Sequence, residues 1–251
     1  MASLMILGTA NAVPDGDHEN SHMAVIGEEG TVLIDCVGTP SVRLGKAGIP
    51  IASITDVIAT HFHPDHVAGI PLLLMGMWLG GRQTPLRIYG LHHCLERIEY
   101  TMGAYRWEDW PEFFPVAFHR LPEGEMVPVL EQSGLAIFSS PVRHLVPTIG
   151  VRVEGRPTGK VVAYSCDTEP CPSLTRLAQG ADVLIHEASG AGVGHSSARQ
   201  AGEVARQAEA HRLLLIHYPP VAADYPRLLD EARAGFGGEV GLAEDFMRIE
   251  L

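Results

Sequence analysis

The chain is short of positive charge. Its 251 residues hold 18 Lys and Arg against 30 Asp and Glu, a net charge of −12 with histidine neutral. That deficit excludes a generally basic surface suited to a nucleic-acid backbone and leaves room only for a local basic patch. Cysteine is sparse too. Cys36, Cys94, Cys166 and Cys171 form no C-x-x-C pair and read as reduced thiols of a cytoplasmic protein. Long apolar runs are missing. The longest, Val67 to Leu79, contains Pro71 and is too short to span a bilayer, so no membrane partner is expected. Met1 to Val13 is apolar and ends near the small residues Thr9-Ala10-Asn11-Ala12. It has no basic start, and Gly8 interrupts it, so it does not read as a signal peptide. No short-period repeat is visible.

What is present is enough apolar residue, 46%, to bury a sizeable core, in a length that fits one large domain or two small ones. The densest chemistry lies in Ala59-Thr60-His61-Phe62-His63-Pro64-Asp65-His66. Three imidazoles and a carboxylate within six residues are the side chains that a borderline-soft divalent metal prefers. Burying them without a partner or metal is costly. The preceding Asp56-Val57-Ile58-Ala59 reads as a short buried strand, so the ligands begin where a strand ends. Pro64 suits that place because it cannot continue a ladder. His61 and His63, two residues apart, can share one metal, and Asp65 with His66 can reach a second.

Apolar runs over Leu4–Leu7, Met23–Ile26, Thr31–Cys36, Thr55–Thr60 and Arg87–Gly90 read as strands in the first half. Leu135–Ser139, Gly150–Val153, Val161–Ser165, Asp182–His186 and Leu213–Ile216 do so in the second. Helices are expected over Ser41–Gly48, around Ala68–Leu79, over Cys94–Tyr105 and from Ala198, where Ser197-Ala198-Arg199-Gln200 has the pattern of a capping box. Arg106 to Pro115 gathers Trp107, Trp110, Phe113 and Phe114, to cover a core or to wall a pocket. Periodicity alone establishes a mixed α/β class.

A site for two metals needs further ligands. His144, Asp167 and His217 each follow an apolar run, as His61 does. Ligands in open α/β sheets gather at strand carboxyl ends, so this shared placement predicts that the groups converge.

The order H-x-H-x-D-H, His, Asp, His resembles the signature of the metallo-β-lactamase superfamily of dinuclear-metal hydrolases. Asp182-Val183-Leu184-Ile185-His186-Glu187-Ala188, Gly194-His195-Ser196-Ser197-Ala198 and the opening Leu7-Gly8-Thr9 resemble its RNase Z-like branch. The resemblance runs from Leu4 to about Pro220. It implies one hydrolase domain over residues 1–251, folded as a four-layer αββα sandwich. It implies two Zn2+ per chain, with Mn2+ or Fe2+ able to occupy the same ligands. His61, His63 and His144 would hold one ion, Asp65, His66 and His217 the other, and Asp167 would bridge them. Asp65 would also position the nucleophile. His195 would act on the scissile phosphate or leaving oxygen, with Glu187 orienting it, and Asp35 would support the metals from behind. A homodimer is usual for the proteins it resembles.

Two departures bear on substrate. Enzymes of this branch that process tRNA carry a long basic arm between the third and fourth metal motifs, whereas only 22 residues separate His144 from Asp167. They also carry a basic loop after the first strand, where this chain has Pro14-Asp15-Gly16-Asp17-His18-Glu19-Asn20-Ser21 with three acids. Hydrolysis of a small phosphodiester is therefore the expected activity. Processing of tRNA 3′ ends, or cleavage of an aryl sulfate or another small ester on the same metals, stands as the alternative. A diiron redox protein is a rival of another class. Its members carry Glu where this chain has His63, and no flavodoxin-like extension follows. A catalytically dead scaffold would be expected to have lost ligands, and all seven are present.

Overall fold

The computed structural model describes residues 2–221 and 224–251. The first sheet contains β1 (Ser3–Gly8), β2 (His22–Gly27), β3 (Gly30–Ile34), β4 (Ile54–Ile58), β5 (Leu86–Leu91) and β6 (Val116–Leu121). The second contains β7 (Val127–Gln132), β8 (Leu135–Val142), β9 (Thr148–Gly155), β10 (Val161–Tyr164), β11 (Val183–Glu187), β12 (Arg212–Ile216) and β13 (Glu239–Leu242). A last strand, β14 (Arg248–Glu250), returns to pair with β1. The orders are β14-β1-β2-β3-β4-β5-β6 and β13-β12-β11-β10-β9-β8-β7. In each sheet three antiparallel pairings are followed by three parallel ones, so the second half repeats the first.

The sheets stack face to face. Leu4, Ile6, Val25, Val32, Ile34 and Ile58 of one meet Ile137, Val151, Val153, Ile185, Leu214 and Ile216 of the other. The opposite faces carry helices. Met5, Leu7, Leu33 and Val57 pack under α1 (Pro40–Lys46), α3 (Ile70–Leu79) and α4 (His92–Ala104). Leu184, Leu213 and Leu215 pack under α5 (Pro172–Leu177), α6 (Ala198–Gln207) and α7 (Tyr225–Phe236). The result is the four-layer αββα sandwich. Because these strands are buried on both faces, they read as continuous apolar runs rather than alternating ones. Each such side chain contributes on the order of 1.5–3 kcal/mol by leaving water.

Several elements differ from the sequence expectation. The helix expected from Ala68 starts earlier, as α2 (Pro64–Val67), and α3 begins anew at Ile70. Between them Gly69 lies so close to another segment that a Cβ would sit 2.8 Å from the Val37 backbone. β6, β7, β13, β14, α5 and α7 were not expected. β7 carries Pro128 at a sheet edge, and β14 is three residues long with two charged ends. Short, charged or proline-bearing edge strands lack a strong apolar pattern. Trp107, Trp110, Phe113 and Phe114 cover the outer core of the first sheet, and Trp110 stacks on Trp78 at 4.8 Å. The pocket-wall role is therefore not theirs. Among the described residues no helix is long and apolar enough to cross a membrane.

Candidate metal centre

The sandwich brings one set of strand ends to a common edge. Asp35 follows β3, His61 to His66 follow β4, His144 follows β8, Asp167 follows β10, Glu187 closes β11 and His217 follows β12. Three of these turns need unusual backbone. Asp35, Cys166 and His217 adopt φ of +61°, +54° and +52°. Left-handed conformations of non-glycine residues cost on the order of 1–3 kcal/mol each and cluster at functional sites. Here they swing side chains off the strands toward one point.

Four overlapping groups of ligand atoms form there, among them His61, His66 and Cys166, and His144, Asp167 and His195; the other two contain the residues of the motif order. His61 Nε2 lies 3.0 Å from His63 Nδ1, which lies 3.2 Å from His144 Nε2. Asp65, His66, Asp167 and His217 form the second group. The Asp167 carboxylate stands between the two. Its Oδ2 is 3.2 Å from His217 Nε2, 3.9 Å from His144 Nε2 and 4.0 Å from His61 Nε2. Its Oδ1 is 3.4 Å from His66 Nε2. Asp65 Oδ2 is 3.7 Å from His66 Nε2 and 4.0 Å from His217 Nε2. The structure thus brings together all seven residues that the motif order singled out.

These residues fit divalent metal. His66 Nε2 and Asp167 Oδ1 are buried and make no hydrogen bond of good geometry. Orphaned buried polar atoms are expensive, and a cation between them removes the penalty. Surrounding groups fix the rings so that lone pairs face inward. His66 Nδ1 donates to Asp35 Oδ2 at 2.7 Å, and His144 Nδ1 donates to the Gly194 carbonyl at 2.7 Å. Both acceptors can only accept, so each ring keeps its Nε2 lone pair free. Asp35 also accepts from the Thr60 N–H at 2.8 Å and from its hydroxyl at 2.8 Å.

Beside the ligands lies a second constellation. Glu187 is fully buried and accepts four hydrogen bonds. Three fall on Oε1, from Thr168 N–H at 3.0 Å, Ser196 N–H at 3.1 Å and His195 Nδ1 at 3.0 Å. The fourth, from Ser189 N–H at 2.9 Å, falls on Oε2. The His195 ring is half-buried, 4.9 Å from the His144 ring and 6.1 Å from that of His217. The Ser197 capping box is present at the start of α6, with Gln200 N–H donating to Ser197 Oγ at 3.2 Å.

The profile of the Beta-lactamase superfamily domain matches residues 31–218, three-quarters of the chain, a span that includes all seven candidate ligands. The chain belongs to the metallo-β-lactamase superfamily. Within it the chain falls in the RNase Z-like branch and is a metal-dependent hydrolase. It is 29% identical to the ribonuclease Z of Methanothermobacter thermautotrophicus, over all of this chain and 97% of that protein. The short form of human tRNase Z superposes with a TM-score of 0.78 at 25% identity, covering 99% of this chain and 98% of the other. The metallo-β-lactamase-fold protein YhfI of Bacillus subtilis superposes with a TM-score of 0.83 at 23% identity, over 99% and 98%.

In this metallo-β-lactamase-fold hydrolase the two groups differ: burial acts to lower His66, yet the carboxylates of Asp167 and Asp35 raise it well above the usual histidine range, whereas the first group favours the neutral ligand forms. Burial pushes the His61 imidazole well below its usual range and also lowers His63 and His144, keeping them neutral. Burial acts to raise Asp167, yet the imidazoles of His217 and His66 hold it well below the usual carboxylate range. The hydrogen bond to Glu187 raises His195 above the ordinary histidine value. The remaining histidines have other surroundings. His119 stacks on Tyr89, His92 and His211 are exposed, His22 donates to the Asn20 carbonyl, and His186 to that of Glu187. Sequence reasoning missed Thr60, Thr168, Ser189 and Gly194, because each acts through its backbone or a hydroxyl and belongs to no ligand pattern.

Proposed function

We propose that this protein is a dinuclear-zinc phosphodiesterase acting on a small phosphodiester, with the whole chain forming one hydrolase domain. The observation that carries this reading is the placement of Asp167 between two ligand groups with the His195–Glu187 pair beside them. His61, His63 and His144 would hold one ion and Asp65, His66 and His217 the other, with Asp167 placed to serve both. Mn2+ or Fe2+ can use the same donors. Two divalent ions held there offset charge on the phosphoryl oxygens and bring the pKa of water toward neutrality.

The chain's own residues supply the rest. Asp65, on the rim of the second group, would position the attacking water while holding the second ion. His195 donates a hydrogen bond from Nδ1 to Glu187, which leaves Nε2 as the ring nitrogen available to substrate. A proton held at Nε2 meets charge developing on the phosphate or passes to the leaving oxygen. Glu187 keeps the ring in that orientation.

A small substrate is favoured over tRNA by what connects the strands. β9 passes to β10 through residues 156–160 alone, which leaves no arm. The alignment with the archaeal ribonuclease Z runs over 315 positions against 251 residues here, so that relative carries segments this chain lacks. The loop after β1 holds Asp15, Asp17 and Glu19. His63 in the first ligand group speaks against a diiron redox centre. The four buried free cysteines support a cytoplasmic setting. A homodimer is supported by α3, which is apolar on its outer side as well, exposing Leu72, Met75 and Leu79.

The test is hydrolysis by zinc-loaded protein of a chromogenic phosphodiester and of a tRNA with a 3′ extension, side by side. Turnover of the diester alone supports the proposal. Cleavage of the tRNA at the trailer junction overturns the small-substrate reading. Cleavage of a sulfate ester with neither of these moves the activity to sulfate.

A further inference from the structure

We infer that Glu169 is a positioning residue for both His144 and His195, acting through Gly194. The inference rests on the reading of those two histidines proposed above. Gly194 is held from both sides. Its carbonyl accepts from His144 Nδ1 at 2.7 Å, and its N–H donates to Glu169 Oε1 at 2.8 Å. The approach is so close that a Cβ on Gly194 would lie 2.9 Å from His144 Nδ1, and the residue sits at φ +82°, where glycine alone is unstrained.

Glu169 is itself anchored next to His144. Its N–H donates to the carbonyl of Arg143 at 2.8 Å, and the two residues form an isolated antiparallel bridge. Its backbone is thus fastened one residue before His144, and its side chain one residue before His195. The same short segment carries Asp167 and Thr168, and Thr168 N–H donates to Glu187. The loop it grips is tied at its two ends, where Ser189 and Ser196 donate their N–H groups to Glu187 and their hydroxyls to the His217 and Thr168 carbonyls. Its glycine-rich middle has no such tie among the described residues besides those at Gly194. Gly190, Gly192 and Gly194 fall within five residues, and Val193 is exposed. The backbone bonds Gly190 N–H to Ser196 and His195 N–H to Gly192 stay within the loop's own neighbourhood. Among the described residues, the hydrogen bonds reaching Gly194 from outside the loop come from His144 and Glu169.

A group that orients a ligand from behind normally governs its affinity for metal by 10–100-fold, and an acceptor one link further back acts at the low end of that range. Glu169→Ala should weaken one of two zinc ions about tenfold in chelator competition and leave the other unchanged. At saturating zinc its kcat should fall about tenfold with KM within about twofold, because His195 loses its place while substrate binding does not. Glu169→Gln, whose amide oxygen still accepts from Gly194, should recover most of both. Glu169→Asp, one methylene too short to reach, should not, and it replaces the alanine variant if that one does not fold. An alanine or aspartate variant that holds both ions as tightly as the unaltered chain overturns the inference. So does a glutamine variant as impaired as alanine. His144→Ala separates the two levels. If it loses an ion while Glu169→Ala loses no affinity, Glu169 alone is misassigned. If His144→Ala keeps both ions, the site reading itself fails.

Discussion

His66 Nδ1 donates to Asp35 Oδ2 across 2.7 Å, and neither side chain meets solvent. Asp35 takes the backbone and hydroxyl protons of Thr60 as well, so one carboxylate sets both the His66 tautomer and the turn that launches the ligand stretch. Asp35→Asn places an amide NH2 where an acceptor is required. Metal affinity should fall by about 10–100-fold. The metal-free protein should lose on the order of 3 kcal/mol in denaturant unfolding, the range for breaking a buried hydrogen-bonded ion pair. Unchanged zinc binding in this variant would show that Asp35 serves the fold alone.

Asp167 is the carboxylate whose oxygens face both ligand groups. Asp167→Ala should therefore impair both ions together, measured as stoichiometry after zinc loading and desalting. His63→Ala, confined to the first group, should lose one ion and the activity with it. Two tightly held ions in Asp167→Ala would refute the bridging role, and an undiminished rate in His63→Ala would refute the ligand assignment.

His195 lies outside the seven ligands proposed, and its Nδ1 donates to Glu187. His195→Ala should keep both ions and lose about 10²–10⁴ in kcat, the usual span for a positioned proton donor. Glu187→Gln should lose less, since the amide oxygen can still accept from Nδ1. Loss of metal in His195→Ala would mean that the ring is a ligand.

His22 is buried on β2, and burial depresses its pKa to about 4. Its unfolded value is the ordinary 6.5, so between pH 6.5 and 4 the unfolded chain binds a proton that the folded chain refuses. The stability from neutral His22 is complete above pH 6.5 and is lost as pH falls toward 4, about 1.4 kcal/mol per unit and about 3 kcal/mol in all. His22→Gln should lower stability at pH 7 yet flatten the decline below 6.5. Parallel pH-stability curves for the two proteins would contradict this.

The site was more legible than the fold that carries it. H-x-H-x-D-H lies within six residues because one turn after one strand supplies four ligands, and such a local cluster is visible in a string. His144, Asp167 and His217 could be found because each closes an apolar run. β14 pairing with β1, and α2 breaking at Gly69, depend on contacts between segments far apart in sequence, which no local pattern records. The aromatic segment fits a core cover or a pocket wall by composition alone. Packing places Trp107 and Trp110 against the outer core.

By itself the sequence determined the residue types for a metal centre, the mixed α/β class and the lack of a basic surface. These depend on composition and short-range order. Tertiary structure alone decided that Asp167 stands between the two groups, that Asp35 turns His66, that Glu187 gathers four donors, and that Glu169 reaches Gly194. Apart from the Ser189 contact to Glu187, each of these joins residues well separated in sequence across strand ends, and their distances exist only after two sheets have stacked and buried their shared face.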